Sequence, residues 1–202
     1  MFVVERGSDM RLLMQGVARC TNRTGCLFQS YRTDGRRESI FGDIAPQTVV
    51  FTWQAARDPS GSLFVANVMG DSVIARSDAG KPLMAFPLRS PTIRQFAARP
   101  PDTREDMNKT LQRMRREPYT QIRSMVASAS EIYIQYERVN PLPGESSFAL
   151  DVYDHGGRLL HRGIQTPGIL RTSRTQAMYF LNVADSGFGT VQIRTCSPGR
   201  RS

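Results

Sequence analysis

Residues 49–91 read VVFTWQAARDPSGSLFVANVMGDSVIARSDAGKPLMAFPLRSP, and this stretch decides the fold. Val50 to Ala55 alternates apolar and polar positions, the period of a half-buried strand. It runs into Asp58-Pro59-Ser60-Gly61, where proline presets φ and glycine admits positive φ, as a tight turn requires. Leu63 to Asn67 is the next strand. Gly70-Asp71 turns the chain into Ser72 to Ser77, and Asp78-Ala79-Gly80-Lys81 turns it again into Pro82 to Leu88. Four short antiparallel strands follow one another within about 40 residues, the size of one propeller blade.

Working outward, the same rhythm recurs. In residues 121–167 the strands are Gln121 to Val126, Glu131 to Tyr136, Phe148 to Tyr153 and Arg158 to Gln165. The phrase ALDVYDHGGRLL there is set against VIARSDAGKPLM of the first copy. In residues 2–45 the strands are Phe2 to Glu5, Met10 to Gly16, Cys26 to Tyr31 and Glu38 to Phe41, and residues 168–196 supply three more. The turn aspartates Asp34, Asp78 and Asp154 lie 44 and 76 residues apart, and the longer interval holds an insertion at 92–119. Within it, Thr103-Arg104-Glu105-Asp106 has the pattern of a capping box. Met107, Leu111 and Met114 share one helical face, and Pro118 must end the helix, so residues 103–116 are expected to be the only helix. Its basic face, with Arg104, Lys109, Arg113, Arg115 and Arg116, suits either a packed cap or a partner. The expected fold class is therefore all-β: a partial β-propeller of about four blades with one inserted α-helix, in a single domain.

The composition agrees. With 40% hydrophobic residues the chain can bury a core, and no apolar run reaches the roughly 18 residues of a membrane-spanning helix. Basic residues outnumber acidic ones 27 to 18, for a net charge of +9. Lys81 and Lys109 are the only lysines, and the arginines are scattered from Arg6 to Arg201. Without basic residues interleaved with aromatics in a recognition motif, nucleic acid is not the expected partner. Cys20, Cys26 and Cys196 lack paired CxxC spacing, which argues against zinc. Cys20 and Cys26 are either a short bridged loop or two thiols. No secretion signal follows Met1.

The phrases Leu13-Met14-Gln15-Gly16, Arg32-Thr33-Asp34-Gly35-Arg36 with Phe41-Gly42, Asp58 to Asn67, and Leu150 to Gly157 make the chain similar to the bacterial six-bladed β-propellers related to NHL-repeat proteins. The resemblance implies a ring of six blades. Four copies in 202 residues are then an incomplete ring, short by about two blades and a closing strand at the front, and expected to self-associate through open sheet edges. It also implies a periplasmic or extracellular setting. The function it implies is a non-catalytic scaffold whose loops bind a protein, a peptide or a carbohydrate. A second reading is a degenerate lactonase- or lyase-type hydrolase that uses calcium.

Candidate ligand-binding residues are polar or aromatic groups on first strands or on the loops leading into them: Glu5, Trp53, Asn67, Asp71, Arg123, Glu131 and Asn182. The oxygens of Asn67, Asp71 and Asn182 suit calcium, although Asn and Asp beside glycine are equally ordinary turn formers. Trp53 fits a core position or a channel wall. His155 and His161 are expected on the outer rim with no special role. Serine-hydrolase, phosphate-loop, HExxH zinc and dinucleotide-binding motifs are absent from the sequence, so no catalytic residue is assigned.

Overall fold

The computed structural model describes residues 2–6, 9–19, 25–32, 34–44, 53–77, 80–91, 93–94, 112–174, 177–183 and 189–195. Their strands form four antiparallel sheets in chain order. The first sheet holds β1 (Phe2–Arg6), β2 (Asp9–Arg19), β3 (Gly25–Arg32) and β4 (Arg37–Ile44). The second holds β5 (Trp53–Arg57), β6 (Leu63–Asn67), β7 (Ser72–Arg76) and β8 (Pro82–Pro87). The third holds β9 (Tyr119–Ala127), β10 (Glu131–Val139), β11 (Phe148–Asp154) and β12 (Leu159–Gln165). The fourth holds β13 (Ile169–Arg174), β14 (Ala177–Val183) and β15 (Gly189–Thr195). Every sheet is a meander in which each strand pairs with the next, as the spacing of turn residues predicts. Of the expected helix, residues 112–114 are helical, and 103–111 lie outside the described residues, as does Cys20. The amide of Asn140, itself at φ 51°, closes this helix end by donating to the carbonyls of Met114 and Glu117 at 3.3 and 3.0 Å.

One turn chemistry recurs. At Asp58 to Ser62, Ser77 to Lys81 and Asp154 to Arg158 the first residue's N–H donates to the fifth residue's carbonyl, at 3.0, 2.8 and 3.0 Å. Its side-chain oxygen accepts the fifth N–H, at 2.8, 3.2 and 2.8 Å. The fourth residue is glycine at positive φ: 101°, 82° and 85°. Ser77 therefore stands where Asp154 stands and Gly80 where Gly157 stands, which moves the phrase match proposed from sequence by one residue. Arg32 to Arg36 makes the same backbone closure around Gly35, φ 82°.

The third sheet is buried on both faces. Ile132, Ile134, Tyr136 and Tyr153 pack against Phe64, Ala66, Val73, Ala75 and Phe86 of the second sheet. Leu150 on the opposite face packs with Leu170, Met178 and Phe180 of the fourth, flanked by Val126 and Tyr133. Burial on both sides likewise explains why Leu63 to Ala66 of β6 is a continuous apolar run and not a strict alternation. Each buried Ile or Leu contributes on the order of 2 kcal/mol. The first strands β5, β9 and β13 lie side by side, whereas β8 and β12 at the far edges are mostly exposed.

Two polar residues sit within this packing. Gln135, fully buried, donates through Nε2 to Thr166 Oγ1 and the Gly168 carbonyl, both at 2.7 Å, and its Oε1 accepts the Leu170 N–H at 2.8 Å. All its main hydrogen-bonding capacity is spent on fastening β10 to the chain entering the fourth sheet. Asp151, also fully buried, accepts the Gly163 N–H at 2.7 Å. Burial pushes the neighbouring Tyr136 phenol well above its ordinary range and Tyr153 up to about 12, with the Asp151 charge acting in the same direction.

Candidate functional site

Each meander has two ends. The hairpin turns at 58–61, 77–80 and 154–157 share one, and the links between sheets enter at the other. The Ile122 N–H donates to the Val68 carbonyl at 2.8 Å, which sets the start of β9 beside the β6–β7 turn and fixes the linker end of two sheets together.

Trp53, Asn67 and Asp71 occupy one corner of that linker end. Trp53 opens β5 and pairs with Asn67, which closes β6. The Asn67 side-chain oxygen accepts the Met69 N–H at 2.9 Å, and its carbonyl accepts the Gly70 N–H at 2.9 Å. The Asn67 oxygen is thus engaged by backbone as in an ordinary asparagine turn. Asp71 is exposed, and its carbonyl accepts the Leu88 N–H at 2.6 Å. Arg123 lies on the adjacent β9, where its Nε stands 3.7 Å from Glu137 Oε2. Gln121 Nε2 donates to the same carboxylate oxygen at 2.9 Å. Asn182 is exposed near the end of β14, two sheets away from Trp53, and pairs with Thr190. The fold gathers Trp53, Asn67, Asp71 and Arg123 on neighbouring elements and sets Asn182 apart. Glu5 lies opposite Met10 in β1, and Glu131 is at the turn end of β10, where it accepts the Tyr133 hydroxyl.

Sequence reading did not single out Glu137, Gln121 or the fork formed by Arg94 and Glu145. Arg94 NH2 and NH1 donate to the two carboxylate oxygens of Glu145 at 2.7 and 3.2 Å, and the Leu142 N–H donates to one of them at 2.9 Å. These donors, Arg94 first, hold the Glu145 carboxyl below its usual range, and the same contact raises Arg94. The partners are 51 residues apart in the chain, so no local signal announces them.

His155 departs from its expected place on the rim. Its Nε2–H donates to the Ser128 carbonyl at 3.1 Å, and Nδ1 lies 3.6 Å from Asp58 Oδ2. The ring also packs against Phe64, tilted at 48° with 4.9 Å between centroids. Because the third sheet lies on the second, a turn residue of one becomes a pin against a turn of the other. His161 is exposed on β12. Among the described residues no group of three or more His, Cys, Asp or Glu side chains is placed to hold a metal ion. No helix among them is long and apolar enough to cross a membrane.

No protein-family model matches the chain. No curated protein matches it. Among solved structures it is similar to a member of the DUF4221 family from Bacteroides vulgatus, at 12% sequence identity and a TM-score of 0.55. The match covers 96% of this chain and 63% of the other, so the protein spans a little under two thirds of that structure's length. At this identity the likeness is one of fold: several antiparallel sheets in an all-β protein.

Proposed function

We propose that the sheets are successive blades of a β-propeller of the NHL-like, six-bladed kind, and that the protein is a non-catalytic scaffold binding a protein, peptide or carbohydrate at its linker end. The arrangement is supported by the face-to-face packing of the second, third and fourth sheets with β5, β9 and β13 adjacent. The observation that carries the function is the corner formed by Trp53, Asn67 and Asp71 beside the Arg123–Glu137–Gln121 group, where Asn67, Arg123, Glu137 and Gln121 are each pre-set by a local hydrogen bond or ion pair. Side chains already fixed in place lose little entropy when a ligand arrives.

Screening the purified chain against glycan and peptide arrays, followed by calorimetry of the retained ligand, tests this. Trp53→Ala and Arg123→Ala should each weaken that ligand about tenfold or more, with the melting temperature little changed for Arg123→Ala. A ligand that binds both variants as it binds the parent would place the site elsewhere. A calcium-dependent rise in melting temperature together with lactone hydrolysis would replace the scaffold by the hydrolase reading.

A further inference from the structure

In the third sheet, Gln135 pairs with Ser124 while the next residue, Tyr136, pairs with Ile122, so Arg123 is an extra residue in β9. In the fourth sheet, Leu170 pairs with Phe180 and Thr172 with Tyr179, so Arg171 is an extra residue in β13. The two β-bulges are equivalent. Each lies on the first strand of its sheet, each leaves an arginine unpaired in the ladder, and each arginine stands between an aliphatic residue and a hydroxyl residue: Ile122-Arg123-Ser124 and Leu170-Arg171-Thr172. They also touch, because Ser124 Oγ donates to the Leu170 carbonyl. Both arginines are exposed. A bulge re-aims one side chain out of the regular alternation, and such irregularities concentrate where a sheet meets a ligand.

We propose that Arg123 and Arg171 form a two-armed site for a monoanionic carboxylate, borne by an acidic sugar or by an acidic peptide side chain. The inference rests on the scaffold reading for the task and names its chemistry. Guanidinium forks match carboxylate geometry, and two on adjacent strands can grip one group from two sides. Glu137, beside Arg123, offsets one of the two positive charges and leaves a net charge of one, which suits a carboxylate better than a phosphate dianion.

The test is nuclear magnetic resonance of the 15N-labelled full chain, titrated separately with glucuronate, N-acetylglutamic acid amide and inorganic phosphate. Saturable shifts at the Nε–H groups of both Arg123 and Arg171, tighter for a carboxylate probe than for phosphate, are expected, and the better carboxylate probe identifies the source. Arg123→Gln and Arg171→Gln should each weaken it about tenfold while their melting temperatures match the parent, and the lysine variants should recover part of the loss. Tighter saturation by phosphate, an unchanged affinity in Arg171→Gln, or shifts that never saturate would each overturn the proposal. If a ligand found on the arrays is weakened by Trp53→Ala and Arg123→Ala but binds Arg171→Gln as it binds the parent, the carboxylate site is wrong and the scaffold stands. If no array ligand exists but glucuronate saturates both arginines, the reverse holds.

Discussion

Gly157 meets two demands at once. Its φ of 85° lies in the left-handed region, and a Cβ there would come within 2.3 Å of Phe86 Cγ on the neighbouring sheet. Gly35 meets only the first, with φ 82° and nothing within 4 Å of the added carbon. Gly35→Ala should therefore cost about 1 kcal/mol for the backbone alone. Gly157→Ala should cost about 3 kcal/mol, because overpacking against Phe86 adds to the same backbone penalty. Urea midpoints at constant m value measure both, and equal costs would show that Phe86 yields freely. The residue scale also shows what the sequence hides. Asp34, Asp78 and Asp154 look like one repeated position, yet Asp34 is third in its turn, Asp78 second in the 77–81 turn and Asp154 first. The glycine keeps register because positive φ has few substitutes, whereas a capping oxygen can come from serine or aspartate.

At the level of the element, the β11–β12 turn ties stability to pH. Asp154 accepts the Arg158 N–H at 2.8 Å and the Arg158 Nε at 3.2 Å, and the backbone bond is the larger reason its carboxyl sits below the usual range. A carboxyl lowered by folding adds stability above its unfolded pKa of about 4 and loses it as pH falls through the lower native value. The parent should accordingly exceed Asp154→Asn in urea midpoint at neutral pH and converge on it in acid. A gap that stays constant across the acid range would show that the charge on Asp154 does not matter. The candidate site was legible to a similar depth. Trp53, Asn67, Asp71 and Arg123 could be chosen by residue type and place on a strand, and the fold puts them on neighbouring elements. Their partners could not: Glu137 meets Arg123 across a bulge that shifts the register, and Glu145 meets Arg94 from 51 residues away in the chain. Turn-forming and ligand-binding asparagines carry the same local pattern, and the structure adds that the Met69 N–H donates to Asn67.

Across the whole molecule, the four meanders were readable because alternation and turn glycines are local, while the contacts that hold one sheet on the next were not, because the clamp at Gln135 and the pin at His155 join distant turns and strands. Among the described residues, the two faces of the fourth sheet differ. Met178 and Phe180 of the fourth sheet face the third. The alternate residues Tyr179 and Leu181 pair with Ile193 and Val191, which are 59% and 65% exposed, so an apolar stripe lies on the sheet's other face. The same position on the third sheet is covered by the fourth. A stripe of this kind beside the edge strand β15 favours association of the 202-residue chain. Light scattering should give a mass that climbs above 22.7 kDa with concentration, and Val191→Lys combined with Ile193→Lys should bring it back toward that value. Lysine on an exposed strand position blunts the edge and costs the isolated sheet little, so the variant should melt near the parent's temperature. A parent chain that stays at 22.7 kDa at every concentration would mean that this face is stable in water, and the repeated stacking would end at the fourth sheet.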